Sequence, residues 1–273
     1  MNGLKNIAGF RAQRRFLEFL ELRIAIDSPR EAAEEIAHDA IQGQGAWILT
    51  LNLEMVARRT FDLTYRKLLK SVDYALPDGA PIVLACRLCR VARIQERVTG
   101  IDISHALLMD KRISRIALIG GMDPEAVAKR FSGQNSERIR TMGGEIDDSP
   151  FGVERVFRFI QESNPQLVLI ALGVPKQDRI ASAIRSRFPA AVIIGIGGSF
   201  DILAGFKRRC PVFMRKNGLE WLFRLMSEPR RLWKRYLLQY PFGAFALLKA
   251  CIFKQPKLIQ SQAESSRPNL RAS

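Results

Sequence analysis

The run Gln166–Leu172, QLVLIAL, constrains the fold more than any other stretch of this chain. Asn164-Pro165 stands before it and Gly173-Val-Pro175 after it, so the segment is too short for a stable helix and is bounded by chain-turning residues. From Leu167 to Leu172 every position is apolar, and such a strand has no face to offer water. It belongs inside a parallel sheet with helices on both sides. Ala46–Thr50, Ser114–Ile119 and Ala191–Ile196 repeat the pattern, and Leu22–Ile26, Tyr74–Leu76 and Ile139–Met142 are shorter or weaker versions. Between them lie helical stretches. One starts at the capping box Ser28-Pro29-Arg30-Glu31 and runs to about Ile41. Others cover Glu54–Lys70, Ile82–Val91, Glu125–Phe131, Val153–Ser163, and Asp178 to about Arg187. The alternation predicts an α/β fold with a mostly parallel sheet and helices on both faces.

In such sheets, ligands gather at the carboxyl ends of the strands. The residues there are small, turn-forming or polar: Thr50 and Asn52, Pro77-Asp78-Gly79, Gly120-Gly121, Gly173 to Gln177, and Gly197-Gly198 to Asp201. Glycines at strand-to-helix turns let backbone N–H groups approach a phosphate. Together these ends suggest a nucleotide cleft, with Asp78 a candidate general base. No GxGxxG and no GxxxxGK[ST] occurs, which argues against a standard dinucleotide site or a P-loop. No Asp-x-Asp pair is placed to chelate a metal diphosphate. Cys86-Arg-Leu-Cys89 has zinc-knuckle spacing but no second pair, so its thiols read as structural. The expectation is no metal and no cofactor.

Charge is unevenly distributed. The chain carries +16, and the segment from Lys207 to Lys257 has thirteen Lys or Arg against Glu220 and Glu228. Trp221, Trp233, Tyr236, Tyr240, Phe242 and Phe245 are interleaved with those charges. Basic and aromatic residues on a helical stretch suit a membrane surface. A helix docked on the core with a solvated basic face and a nucleic-acid surface are the competing readings. A bilayer span is disfavoured by Gln239, Pro241, Gly243 and Lys249. Residues 1–20 read as a short basic amphipathic segment with no apolar core or cleavage site of a signal peptide, which makes the cytoplasm the default. The expected organisation is a core over 1–206, a basic appendage over 207–259 and a polar, disordered tail over 260–273.

Six motifs, in order, carry a resemblance. Thr50-Leu-Asn52-Leu-Glu54-Met-Val is similar to the T-P-N-P-E-x-V element of the WecG/TagA/CpsF glycosyltransferase family. Asp73-Tyr-Ala-Leu-Pro-Asp78-Gly79 resembles its A-D-x-x-x-P-D-G, and Glu96-Arg97-Val-Thr99-Gly100-Ile-Asp102 its E-R-x-x-G-x-D. Gly173-Val-Pro175-Lys-Gln177-Asp178 resembles G-x-P-K-Q-E. The stretch from Gly195 through Phe200-Asp201 to Gly205, with Arg209-Cys-Pro211, resembles G-V-G-x-x-F-D-x-x-A-G followed by R-A-P. Gly218-Leu-Glu220-Trp221 through Arg224 to Glu228-Pro229-Arg230-Arg231 resembles G-L-E-W-x-x-R-L followed by E-P-x-R.

The resemblance implies a bacterial enzyme of surface-polysaccharide or teichoic-acid assembly with a Rossmann-like core. It would move a sugar with inversion, and without a divalent metal, from a UDP donor to a lipid-diphosphate-linked acceptor. A C-terminal appendage would complete the site and hold the enzyme at the inner face of the plasma membrane. By position, Asp78 matches the general base, and Thr50, Asn52 and Gln177 match polar residues around it. Arg97 would neutralise the leaving diphosphate; a salt bridge to Glu96 or Asp102 is its structural alternative. Gly120, Gly197, Gly198 and Asp201 would border the nucleotide. Arg224, Arg230 and Arg231 would reach a diphosphate or lipid headgroups. Leu51 and Leu53 stand where the family has prolines, and Asp178 where it has glutamate. Those departures leave the donor open between UDP-N-acetylmannosamine and UDP-glucose. A non-enzymatic nucleotide- or nucleic-acid-binding protein is the rival class, although no nucleic-acid motif is present. A homo-oligomer is left open.

Overall fold

A computed structural model of the chain describes residues 14–88, 94, 96–253 and 256–260. Nine strands form one sheet: β1 (Arg15–Phe19), β2 (Leu22–Ala25), β3 (Trp47–Leu51), β4 (Tyr74–Pro77), β5 (Ile116–Gly120), β6 (Ile139–Met142), β7 (Leu167–Ala171), β8 (Val192–Gly195) and β9 (Lys257–Gln260). Their order is β6-β5-β7-β8-β3-β4-β2-β1-β9. The seven strands from β6 to β2 run parallel, and β1 and β9 close one edge antiparallel.

Alternation along the strands builds two cores. In β7, Val168 and Ile170 face one and Leu167 and Leu169 the other. The first core is covered by α2 (Leu53–Phe61), α3 (Leu63–Leu68), α4 (Ala80–Leu88), α7 (Pro150–Ser163) and α8 (Lys176–Arg187). The second is covered by α1 (Pro29–Gln42), α5 (Gly100–Met109), α6 (Pro124–Phe131) and α9 (Ser199–Leu203). The doubly covered parallel sheet expected from the sequence is therefore present. α10 (Val212–Lys216) and α11 (Glu220–Ser227) follow. A continuous helix over Pro229–Phe253 comes next, made of α12 (Pro229–Lys234), a π-helical stretch over Arg235–Gln239, and α13 (Tyr240–Phe253).

Several local expectations need correction. The basic segment read over 1–20 is outside the described residues up to 13. Its remainder is a hairpin strand, because Phe16, Leu17 and Phe19 are buried and Leu20 and Glu21 turn the chain with φ of 56° and 57°. The single helix read over Glu54–Lys70 is broken at Asp62, whose extended backbone (φ −108°) frees its side chain to cap α3 at the Tyr65 N–H. The helix read to Val91 is described only to Leu88, and Cys89 is outside the described residues. Helix α5 was not anticipated. Thr99 caps it, accepting from the Asp102 N–H and donating its hydroxyl to the Asp102 carboxylate at 2.6 Å. Gln260, read as the first residue of the tail, is the last of β9, and 261–273 are outside the described residues.

α13 packs against α2 and α4. Gly243 makes this approach feasible, since a Cβ there would stand 2.4 Å from the Leu53 carbonyl oxygen. The Pro229–Phe253 helix is long and apolar enough to cross a membrane, yet this face is docked on the core. Its other face leaves Phe242, Phe245, Leu248 and Ile252 exposed, at helical spacing. Phe61 of α2 extends that surface with an edge contact to Phe242.

Candidate active site

The carboxyl ends of β3 and β4 open into a cavity of about 320 Å³ that α11 and the Pro229–Phe253 helix also line. Asn52, Asp78, Gly79 and Arg97 line it from the sheet edge; Glu220, Trp221, Arg224, Arg235, Tyr236 and Tyr240 line it from the C-terminal helices.

Asp78 is fixed by its backbone. Its N–H donates to the Leu51 carbonyl at 2.9 Å, and the neighbouring Pro77 carbonyl accepts from the Val98 N–H at 3.0 Å. Gly79 then turns the chain with φ of 107°, a region that disfavours other residues. Burial pushes the Asp78 carboxyl up from 3.8 to about 6, and the Glu220 charge adds to the rise. Arg224, the Gly100 N–H at the start of α5 and Arg97 pull the other way. A carboxylate poised near neutrality can both lose and take a proton at working pH.

The cationic wall is cross-braced. One Glu220 oxygen meets Arg97 Nη1 at 3.1 Å, and the other meets Arg224 Nη2 at 2.6 Å. The partner of Arg97 is thus Glu220, neither Glu96 nor Asp102; Asp102 pairs with Arg209 instead. Arg235 meets Glu54 at 3.0 Å and stands over the rings of Tyr236 and Tyr240. Trp221 and Tyr236, and Tyr236 and Tyr240, are in ring contact and give the cavity an aromatic side.

Of the residues singled out by sequence, Asp78, Asn52, Arg97 and Arg224 meet at this cavity. Asn52 also caps α2, accepting from the Glu54 and Met55 N–H groups. Thr50 and Gln177 do not line it. Thr50 is buried and donates to the Gly195 carbonyl at 2.7 Å, joining β3 to β8. Gln177 is 1% exposed, and its side-chain oxygen accepts from the Gly197 N–H at 3.1 Å, bracing the turn after β8. Gly120, Gly197, Gly198 and Asp201 stand farther along the same sheet edge. Gly120 lies where β5 and β7 lead away in opposite directions, the switch point at which such sheets bind ligands. Its φ is 80°, and a Cβ there would come within 2.9 Å of the Ala171 carbonyl. Asp201 is buried and pairs with Lys207 at 2.7 Å, which also reaches Glu228 at 3.2 Å. Arg230 and Arg231 are exposed and outside the cavity, and Arg231 pairs with Glu228.

Asp178 is fully buried and accepts from the Tyr65 hydroxyl at 2.6 Å, away from the cavity. Leu51 is core, and Leu53 is where Gly243 lands. Sequence reasoning did not assign Glu220, Trp221, Arg235, Tyr236 or Tyr240 to the site. The available signal was Glu220 one helical turn before Arg224, the spacing of an ion pair. Among the described residues, no three His, Cys, Asp or Glu side chains gather into a metal-binding cluster.

A doubly covered parallel sheet with a part-buried acid and paired arginines at its carboxyl edge suits a group-transfer enzyme acting on an anionic substrate. Residues 17–257 match the model of the "Glycosyl transferase WecG/TagA/CpsF family". A Bacillus subtilis (strain 168) protein named N-acetylglucosaminyldiphosphoundecaprenol N-acetyl-beta-D-mannosaminyltransferase is 35% identical over 218 residues, 78% of this chain and 82% of that protein. A protein of the same name from Bacillus spizizenii (strain W23) is 33% identical over 216 residues, 76% of this chain and 80% of its own. The chain belongs to the WecG/TagA/CpsF family and is a glycosyltransferase.

Proposed function

We propose that this chain transfers N-acetylmannosamine from its UDP donor to undecaprenyl-diphosphate-linked N-acetylglucosamine, with inversion and without a divalent metal, in bacterial surface-glycan assembly. The observation that carries the reading is Asp78, raised to about 6 and lining one cavity with Arg97 and Arg224 in a chain of this family. The relatives' names supply the sugar, the acceptor and a β product. A β product from an α-linked UDP-sugar requires inversion.

In the reaction, Asp78 takes the proton of the acceptor hydroxyl as its oxygen bonds to the anomeric carbon. The bond from that carbon to the diphosphate breaks, and UDP leaves with the electron pair. Arg97 and Arg224 stabilise the charge that develops on the leaving oxygen. Thr50 and Gln177 hold β3 and the turn after β8 in register beneath the site. The uridine and ribose lie along Gly120, Gly197, Gly198 and Asp201. The exposed apolar face of α13 rests on the cytoplasmic leaflet, with Arg230 and Arg231 near its headgroups.

The test is transfer to the polyprenyl-diphosphate acceptor from a panel of UDP-sugars, with and without EDTA. UDP-N-acetylmannosamine should be preferred, and EDTA should leave the rate unchanged. Preference for UDP-glucose would contradict the donor, and strict dependence on Mg²⁺ or Mn²⁺ would contradict the metal-free mechanism.

A further inference from the structure

Glu220 is an unexpected group in a site for anionic substrates. Its carboxylate is mostly buried at the edge of the cavity, and each oxygen holds a different guanidinium. Arg97 comes from the core loop before α5; Arg224 is on Glu220's own helix, one turn on. The charged and titratable groups around the cavity are Asp78 at the end of β4, Arg97, Glu220 and Arg224 of α11, and Arg235, Tyr236 and Tyr240 of the long helix. Glu54 of α2 pairs with Arg235. The remaining two carboxylates, Asp78 and Glu220, balance Arg97 and Arg224, so the site carries no net charge.

A dianionic diphosphate gains little from a neutral site unless one internal charge gives way. Asp78 is held by its backbone and faces the α5 N-terminus at Gly100. Among the described residues, the ion pairs that hold the Glu220 carboxylate are to the flexible side chains of Arg97 and Arg224. A carboxylate bridging two guanidiniums also mimics a phosphate geometrically.

We propose that Glu220 is a displaceable counter-ion. In the empty enzyme it occupies the diphosphate's place on Arg97 and Arg224, yields them when the nucleotide sugar binds, and takes them back to eject UDP. Glu220 is a positioning residue in this account, since it touches neither the sugar nor the proton in transit. The inference rests on the proposed UDP-sugar reading, whose failure is separately visible.

The experiment is calorimetric titration of UDP into wild type and Glu220→Gln, with the pH profile of kcat/KM for each. Removing one negative charge a few ångströms from the diphosphate should tighten UDP about three- to tenfold at low salt. The gain should shrink as salt rises. Turnover should fall as product release slows, and the acid limb of the profile should move down by about half a pH unit, because Glu220 no longer opposes ionisation of Asp78. Weaker UDP binding by a folded variant would make Glu220 a mere clamp on the arginines and overturn the proposal, as would unchanged binding. Should the Gln variant fail to fold, Glu220→Asp withdraws the charge by one methylene and should tighten UDP in the same direction. A wild type that binds no UDP overturns both this inference and the proposed function; a wild type that binds UDP beside a variant that does not tighten overturns this inference alone.

Discussion

To accept a proton, Asp78 must be ionised, and burial works against its ionisation. The folded carboxyl binds its proton more tightly than the unfolded one, so its contribution to stability is fully present below 3.8 and lost as pH rises through about 6. Activity in the proposed reaction runs the opposite way, because only the ionised form is a base. The kcat/KM profile of the wild type should therefore rise with pH through an apparent pKa of about 6. A profile flat from pH 5 to pH 8 would contradict the role. At this scale the sequence was informative where a residue's job is local. Pro77-Asp78-Gly79 announces a turn at a strand end, and the turn is there. It was uninformative where the partner is distant in the chain. Nothing near Arg97 points to Glu220, more than a hundred residues on, and Glu96 and Asp102 are the carboxylates its own neighbourhood offers. Asp178 illustrates the same limit. Read as a departure from the family glutamate that leaves the donor open, it is a buried partner of Tyr65, and the packing of α3 on α8 brings the two together.

The long C-terminal helix does two jobs on two faces. One face docks on α2 and α4 through Gly243, and Tyr240, Pro241 and Ala244 beside it complete the cavity. Gly243→Val would drive a branched side chain into the Leu53 backbone, at a cost of about 1–3 kcal/mol. Because the same turn forms the cavity wall, acceptor KM should rise together with the loss of thermal stability. Calorimetry and acceptor titration read the two effects, and a variant unchanged in both would mean that this helix does not dock as described. Composition left a docked helix and a membrane-surface helix as rivals. The element combines docking with an exposed apolar face, which a one-dimensional charge and hydropathy pattern does not separate. Helix α5 is hidden in the sequence for a related reason. Its N-cap Thr99 falls inside a motif read for chemistry, and its sequence is apolar nearly all round, so it lacks the stripe that marks a surface helix.

At the scale of the molecule, the sheet edge and the C-terminal helices line one cavity. Lys207 bridges Asp201 and Glu228, Glu220 bridges Arg97 and Arg224, and β9 returns the chain to the edge of the sheet against β1. The parallel sheet was legible because buried strands need continuous apolar runs. β1 and β9 were not, because the strands at and next to this edge of the sheet break their apolar runs with charges such as Arg15, Glu18 and Lys257. The proposed membrane association belongs here as well, since it combines the net charge of +16 with the exposed row Phe242, Phe245, Leu248 and Ile252. The protein should float with phosphatidylglycerol vesicles, and Phe245→Ser with Ile252→Ser should reduce that binding. Flotation unaffected by the double substitution would put the contact elsewhere.

The most direct test of the whole account is sugar transfer by Asp78→Asn. With both substrates present, the variant should show no detectable turnover while still binding UDP at least as tightly as wild type, since it keeps the shape of the side chain and loses the base together with one negative charge beside the arginines. Turnover at a rate comparable to wild type would contradict the assignment of Asp78 and the reading of the cavity built on it.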